Sequence, residues 1–121
     1  MTPANFAGSK WFTADELRCK GSGRLFIDQG SLDALNALRE AVNRPLIINS
    51  GYRSPEYNKM IGGAPSSYHL KGQAFDIRAS HYEQLELFYH ASRVGFHGFG
   101  FYDTFIHLDT RPLLCFWGAK H

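Results

Sequence analysis

Two histidines and one aspartate in this sequence have the residue types of a metal site. His69 precedes a glycine turn, Asp76 lies within a short apolar strand pattern, and His107 lies within a second one. A carboxylate in the middle of a strand is disfavoured, and burying it without a partner costs several kcal/mol. Asp76 therefore needs a cation or hydrogen-bond donors beside it.

The strand position of Asp76 also leaves simpler interpretations open. Alternation places Phe75 and Ile77 on one face of the strand and Asp76 on the other. On that face Asp76 could form a salt bridge with Arg78 or Arg53, or the whole face could be solvated. Strand position alone favours these structural roles over a functional one.

His107 shifts the balance towards a metal, because two imidazole nitrogens and one carboxylate oxygen form the ligand set of a catalytic zinc site. Such a site has three protein ligands and a fourth position that stays open for water. A turn at Gly72 would fold the chain back so that His69 approaches the strand of Asp76. The spacing by itself is a weak signal, since the sequence has six histidines.

Several short motifs, in a fixed order, resemble those of the zinc D-Ala-D-Ala carboxypeptidase family. They lie at residues 50–54 (SGYRS), 58, 62–63, 67–69, 72–74, 76 and 107–109. The form SGYRS…N…GG…SxHxxGxAxD…FxHxD is similar to the compact, peptidase M15-like branch that acts on peptidoglycan. The match runs from about residue 12 to residue 117, and many positions in order are more specific than one short pattern.

The resemblance implies a fold, a metal and roles for five residues. The fold is the α+β zinc-peptidase fold shared with the signalling domain of hedgehog proteins. The implied Zn²⁺ ligands are His69, Asp76 and His107. Arg53 would bind substrate and stabilise the oxyanion, because a guanidinium is always charged and can fork onto an oxyanion. It could instead pair with a structural carboxylate. Ser67 would contact substrate.

The general base is the part of the family pattern that this sequence lacks. Many relatives have a Glu or Asp three residues before the last zinc histidine, and Thr104 occupies that position here. We expect Asp109 to be the catalytic acid–base group, with Asp103 as the alternative. Asp109 could also accept the N–H of His107 and fix its tautomer. In that case Asp103 or His97 would carry protons.

The resemblance implies metal-assisted hydrolysis of stem peptides in bacterial cell-wall peptidoglycan. The expected activity is that of a cross-link endopeptidase acting on the D-Ala–diaminopimelate bond. The alternatives are a D-Ala-D-Ala carboxypeptidase, an L-Ala–D-Glu endopeptidase, a zinc-bearing module that binds peptidoglycan without cleaving it, and a metal-free structural domain. The compact chain is similar to phage lysins, which are made in the cytoplasm and reach the wall through a holin or with the virion.

The elements that must position these residues are predicted from capping signals and periodicity. Helices are predicted to begin at the N-caps Thr13, Ser31, Ser54 and Ser80; the second ends before Pro45, the third covers 56–60 and the fourth runs to about Val94. In the fourth helix Leu85, Phe88 and Tyr89 are expected to face inward. Strands are predicted at 46–48, 73–79, 98–102 and 105–109. This pattern indicates an α+β fold with a small, mostly antiparallel sheet and flanking helices.

Composition limits the classes of partner. The length of 121 residues predicts one domain, 1–121, expected to be a monomer. The net charge of +2, without a basic run, gives no reason to expect nucleic acid. No apolar run approaches the ~20 residues of a membrane span, and the first residues lack the pattern of a signal peptide. Cys19 and Cys115 lie far apart without CxxC spacing; two free thiols are the simpler interpretation, and a disulfide between them is the alternative.

Overall fold

The structure is a computed structural model that describes residues 2–118. Its helices are α1 (Ala14–Leu17), α2 (Gln29–Val42), α3 (Pro55–Met60) and α4 (His81–Ala91), with 3₁₀ turns at Phe6–Gly8 and Tyr68–Lys71. Its strands are β1 (Ile48–Ser50), β2 (Ala74–Arg78), β3 (Gly98–Phe101), β4 (Phe105–Asp109) and β5 (Cys115–Gly118). Among residues 2–118, no helix is both long and apolar enough to cross a membrane.

The five strands form one sheet in the order β1-β2-β4-β3-β5. The first three pairings in that order are antiparallel, and β5 adds to the edge of β3 in parallel. The predicted α+β class with a mostly antiparallel sheet is therefore confirmed. The single domain over 1–121 and the monomeric state stay predictions.

Local capping chemistry explains most of the helix starts. Both predicted capping boxes are present, at Thr13 with Glu16 and at Ser80 with Glu83. The prediction for α2 was wrong, because its N-cap is Asp28, whose carboxylate accepts the backbone N–H of Ser31 at 3.2 Å. A serine three residues inside the helix resembled a cap, but the residue that satisfies the free N–H groups precedes it.

The orientation of α4 also differs from the prediction. Its buried residues are Gln84, Leu87 and Ala91. Of the three residues predicted to face inward, Phe88 is half-buried against the core, whereas Leu85 and Tyr89 are 65% and 56% exposed. Gln84 faces inward because its amide donates to the carbonyls of residues 79 and 102. Apolar residues lie all around this helix, so periodicity could not select the inward face, and the helix ends at Ala91 rather than near Val94.

Two strands depart from the prediction. β1 covers Ile48–Ser50 rather than 46–48, although the carbonyl of Ile47 still accepts the N–H of Arg78. β5 was not predicted, because its register depends on pairing with β3 and not on a local pattern. Cys115 begins β5, and both it and Cys19 are free thiols, as predicted.

The sheet has one face in the core and one face at the site. Phe75, Ile77, Ile106 and Leu108 are completely buried and belong to the same core cluster as residues of α2 and α4. Alternation turns the side chain between Phe75 and Ile77, that of Asp76, to the opposite face. The alternation predicted for this strand is therefore observed.

Gly72 makes the turn that returns the chain from the 3₁₀ helix to β2. Its φ is +67°, and a Cβ there would lie 2.2 Å from the carbonyl oxygen of Phe26. We expect Gly72→Ala to lower the free energy of unfolding by at least about 1 kcal/mol more than Gly23→Ala. Gly23 is the matched control, because its φ is +74° but a Cβ there would have no atom within 4 Å. Equal losses in chemical denaturation would contradict the crowding at Gly72.

Candidate metal centre and substrate cleft

Three elements bring His69, Asp76 and His107 to one place. Asp76 is the central residue of β2 and is paired in register with His107, the central residue of β4. Directly opposed residues of antiparallel strands have their side chains on the same face. His69 lies in the short 3₁₀ helix Tyr68–Lys71, which Gly72 ends in a left-handed conformation. All three side chains are buried.

The ligand atoms of these residues converge on one oxygen. His69 Nε2 lies 3.1 Å from Asp76 Oδ1, and His107 Nδ1 lies 3.0 Å from the same oxygen. Among residues 2–118, these three form the group of His, Cys, Asp or Glu side chains that could hold a metal ion, with ligand atoms within 4.8 Å of one another. With metal–ligand bonds of ~2.0 Å, two ligand atoms of a tetrahedral zinc site lie about 3.3 Å apart, which is close to these separations.

The hydrogen bond made by the outer nitrogen of each imidazole determines whether its inner nitrogen presents a lone pair to the centre. His69 Nδ1 lies 2.7 Å from the carbonyl oxygen of Gly51, which can only accept, so Nδ1 carries the proton. His107 Nε2 lies 2.8 Å from Asp109 Oδ2 and donates to that carboxylate. In the neutral imidazoles, the form that binds a metal, both inner nitrogens then point lone pairs at the Asp76 carboxylate. Three acceptor atoms facing one another fit a bound cation.

The charges of these groups are set by burial and by their partners. Burial lowers the pKa of His69. Burial also acts to lower the pKa of His107, but hydrogen bonds to Asp109 and Asp76 outweigh it and raise that pKa. For Asp76, burial acts to raise the pKa, but the hydrogen bonds that His107 and His69 donate to it when their imidazoles are protonated hold it well below its usual range. Asp76 is therefore ionised at neutral pH and supplies a negative charge to the centre.

Arg53 contacts the second oxygen of the same carboxylate. Its Nη2 lies 3.2 Å from Asp76 Oδ2, while Nε and Nη1 donate to Ser50 and Asn58 at 3.2 and 3.3 Å. The salt bridge and the metal group, which the sequence presented as alternatives, therefore coexist. Ser67 Oγ accepts the backbone N–H of His69 at 3.2 Å, and Ser67 and Arg53 both line the cleft beside the metal group.

Asp109 lies behind His107 and not in the cleft. It is completely buried, and its Oδ2 accepts from His107 Nε2 and, at 2.6 Å, from Arg111 Nη2. Its Oδ1 accepts from Arg111 Nε at 2.8 Å and from the Arg111 backbone N–H at 3.1 Å. A Cβ on Gly98 would lie 2.1 Å from that Oδ1, so a glycine is needed to make room for the carboxylate. This is the geometry of a carboxylate that orients a metal-binding histidine.

The other candidate proton carriers lie outside the cleft. Asp103 is 67% exposed on the turn between β3 and β4, where its Oδ1 lies 3.7 Å from His81 Nε2. His97 is exposed, and its Nδ1 lies 2.9 Å from the carbonyl oxygen of Arg111. Thr104 is exposed on the same turn as Asp103. Within the described range 2–118, Asp76 is the one carboxylate that lines the cleft.

The cleft has a volume of about 440 Å³. One wall of it contains cationic and aromatic side chains that the sequence analysis did not predict. Its members are Tyr68, Tyr102, Phe105, Arg111 and Trp117. Trp117 Nε1 donates to the Tyr102 hydroxyl at 2.8 Å, and the Tyr102 ring stacks on Phe105 at 4.4 Å. Tyr68 adjoins the motif residue His69 and could have been found, but Trp117 lies on the unpredicted strand β5.

Comparison with known proteins identifies the family of this chain. The family model described as Peptidase M15 matches residues 10–109. The chain belongs to the peptidase M15 family. The family predicted from the motifs is therefore confirmed, and the matched range contains every residue of the metal group. The donor set and the M15 assignment together indicate Zn²⁺ as the metal.

Three relatives of this M15 chain have names that describe a peptidoglycan endopeptidase or a D-Ala-D-Ala carboxypeptidase. It is 35% identical over 98 residues to peptidoglycan L,D-endopeptidase MepK of Escherichia coli, covering 71% of this chain and 52% of that protein. It is 35% identical over 84 residues to a probable MepK of Haemophilus influenzae, covering 64% and 45%. It is 41% identical over 46 residues to the zinc D-Ala-D-Ala carboxypeptidase of Streptomyces albus G, covering 37% and 18%. The chain spans about half the length of the MepK proteins that it matches.

We expect His69→Ala and Asp76→Ala to abolish stoichiometric zinc binding, because each removes one of three ligands. His90→Ala is the matched control, since His90 lies on α4 outside the cleft. The measurement is the zinc content of the purified proteins after dialysis, with circular dichroism to check folding. Folded variants that retain one zinc per chain would exclude this metal group.

Proposed function

We propose that this chain is a zinc-dependent peptidase that hydrolyses peptide bonds in bacterial cell-wall peptidoglycan, and that it acts as an endopeptidase. The observation that carries the proposal is the convergence of His69, Asp76 and His107 in an open cleft beside Arg53. Membership of the M15 family and the names of the similar proteins support the substrate class.

Each residue of the centre has a role that its contacts support. His69, Asp76 and His107 would hold Zn²⁺, which supplies Lewis acidity that lowers the pKa of a bound water to about 7. Arg53 is held by Asp76 at the edge of the cleft, where its guanidinium can stabilise the negative charge that develops on the carbonyl oxygen of the substrate. The Ser67 hydroxyl accepts one hydrogen bond and can donate another to the substrate backbone.

The predicted acid–base residues divide into two roles. We infer that Asp109 is a positioning residue, because its oxygens are already used by His107 and Arg111, and it is completely buried. Hydrogen bonds from Arg111 and His107 outweigh burial and hold the pKa of Asp109 well below its usual range, so it is a poor proton carrier at neutral pH. With Asp109 in that role, Asp103, which is next in sequence to the cleft residue Tyr102, and His97 stay the predicted proton carriers, although both side chains lie outside the cleft.

The bond that is cleaved is proposed from two sources. The motifs do not choose clearly among the bonds, and the expectation from the resemblance was the D-Ala–diaminopimelate cross-link. The MepK relatives are named L,D-endopeptidases, which favours a bond between an L centre and a D centre. The alternative L-Ala–D-Glu bond belongs to that class. We propose an L,D bond on that ground. Delivery by a holin or a virion, as in phage lysins, stays a prediction from the sequence.

A binding module without catalysis is the second candidate. The observation that favours it is the absence, within residues 2–118, of a cleft carboxylate other than the metal ligand Asp76. Such a module would keep the metal and the cleft but would leave the peptides intact. Product analysis separates it from a peptidase.

Digestion of purified peptidoglycan tests the proposed function. We expect the zinc-loaded protein to release new muropeptides, to lose this activity with a chelator and to regain it with added zinc. Mass spectrometry of the products identifies the bond, because L,D and D,D cleavage leave fragments that differ in their terminal residues. A zinc-loaded protein that binds the polymer and releases no fragments would support the binding module.

Substitution of the two aspartates distinguishes their roles. Asp109→Asn keeps the shape of the side chain but removes the charge that orients His107, so we expect zinc affinity to fall about 10–100-fold. Asp103→Asn should leave zinc affinity unchanged and lower kcat if Asp103 carries protons. Chelator competition and initial rates measure the two quantities. Full activity of Asp103→Asn would remove it as proton carrier, and unchanged zinc affinity of Asp109→Asn would contradict its positioning role.

A further inference from the structure

Arg111 connects the buried metal centre with the surface of the cleft. Its Nε and Nη2 donate to Asp109 at 2.8 and 2.6 Å. Its Nη1 makes no hydrogen bond to any residue in the described range 2–118, and the side chain is 22% exposed where it lines the cleft. One edge of this guanidinium is therefore used inside the protein, and the other edge keeps free donors.

Arg111 and Arg53 lie at the two ends of one continuous chain of close polar contacts. The chain runs from Arg53 through Asp76, His107 and Asp109 to Arg111, and each link is between 2.6 and 3.2 Å. Both arginines also line the same cleft. The two carboxylates balance the two guanidinium charges, so a divalent metal would make the centre positive and would attract anionic groups of a ligand.

Aromatic rings hold the Arg111 guanidinium in place. The guanidinium carbon lies 4.7 Å from the centre of the Tyr68 ring and 5.0 Å from that of Trp117. Trp117 can lie there because its neighbour on β3 is Gly100, where a Cβ would be 2.5 Å from the indole. Its Nε1 donates to Tyr102, which fixes the indole. A donor group held in this way loses little entropy when a ligand binds.

We propose that Arg111 is a carboxylate-binding residue of the cleft, which recognises a free carboxylate of the substrate peptide across the metal group from Arg53. A guanidinium with an unused edge of N–H donors matches a carboxylate in geometry and charge. The inference rests on the proposed function for the class of ligand, a peptidoglycan stem peptide. Stem peptides carry carboxylates on D-Glu and diaminopimelate, and amidation removes the charge of either one.

The test uses three synthetic peptides with the zinc-loaded protein. They are L-Ala-γ-D-Glu-diaminopimelate with its C-terminal main-chain carboxylate amidated, the same peptide also amidated at D-Glu, and the same peptide also amidated at the remaining carboxylate of diaminopimelate. Calorimetry gives the Kd of each peptide. For any peptide that is cleaved, recognition is compared by the ratio of kcat/KM values instead of the ratio of Kd values. We expect one amidation to weaken recognition by the unmodified protein about ten-fold or more. Arg111→Gln should lose this discrimination, and Arg111→Lys should retain part of it.

Two controls separate recognition from the contact with Asp109. Arg93→Gln removes an arginine that also lies over a ring, that of Tyr89 at 5.3 Å, but outside the cleft, and should keep the discrimination. Zinc content is measured on every sample. If Arg111 only supported Asp109, Arg111→Gln would weaken all three peptides by the same factor, and that result would overturn the proposal. Equal recognition of the three peptides by the unmodified protein would overturn it as well.

The outcomes also distinguish this inference from the proposed function. Selective binding that depends on Arg111, without cleavage of peptides or peptidoglycan, would support the carboxylate site and reject the peptidase. Cleavage without discrimination would support the peptidase and reject the carboxylate site. If Arg111→Gln does not fold, Arg111→Lys and the three peptides with the unmodified protein still decide the proposal.

Discussion

The buried carboxylate of Asp76 is the group on which the rest of the site depends. It lies in the middle of a central strand, where an unpaired charge would cost several kcal/mol. Its two oxygens have separate partners, since Oδ1 faces both imidazoles and Oδ2 accepts from Arg53. A buried ion pair gains little stability over apolar packing, so this arrangement is better explained by a function than by stability.

Each of the two histidines beside that carboxylate is held by a hydrogen bond from its outer ring nitrogen. The Gly51 carbonyl orients His69, and Asp109 orients His107. Asp109 is in turn held by Arg111, whose guanidinium lies over two aromatic rings. Such outer contacts determine which nitrogen of each imidazole is available to a metal. Preorganisation of the centre is therefore distributed over β2, β4 and β5, with the glycines of β3 leaving the space that the side chains fill.

Local sequence patterns predicted the parts of the fold that short-range chemistry controls. The capping boxes at Thr13 and Ser80 and the alternation around Asp76 were predicted correctly, because each depends on residues within one turn or one strand. The N-cap of α2 and the inward face of α4 were not predicted correctly. Two polar residues competed for the cap, and the buried face of α4 follows from hydrogen bonds of Gln84 to distant carbonyls.

The sequence alone determined the types and the order of the metal-binding candidates, and their motifs indicated the family that comparison confirmed. It also determined that Asp76 and its strand neighbours face opposite sides, since the period of a strand is two. Only the tertiary structure decided that Asp109 lies behind His107, that Arg53 shares Asp76 with the histidines, and that Arg111 and Trp117 reach the cleft. Those contacts depend on the register between strands and on the parallel addition of β5, which no local pattern encodes.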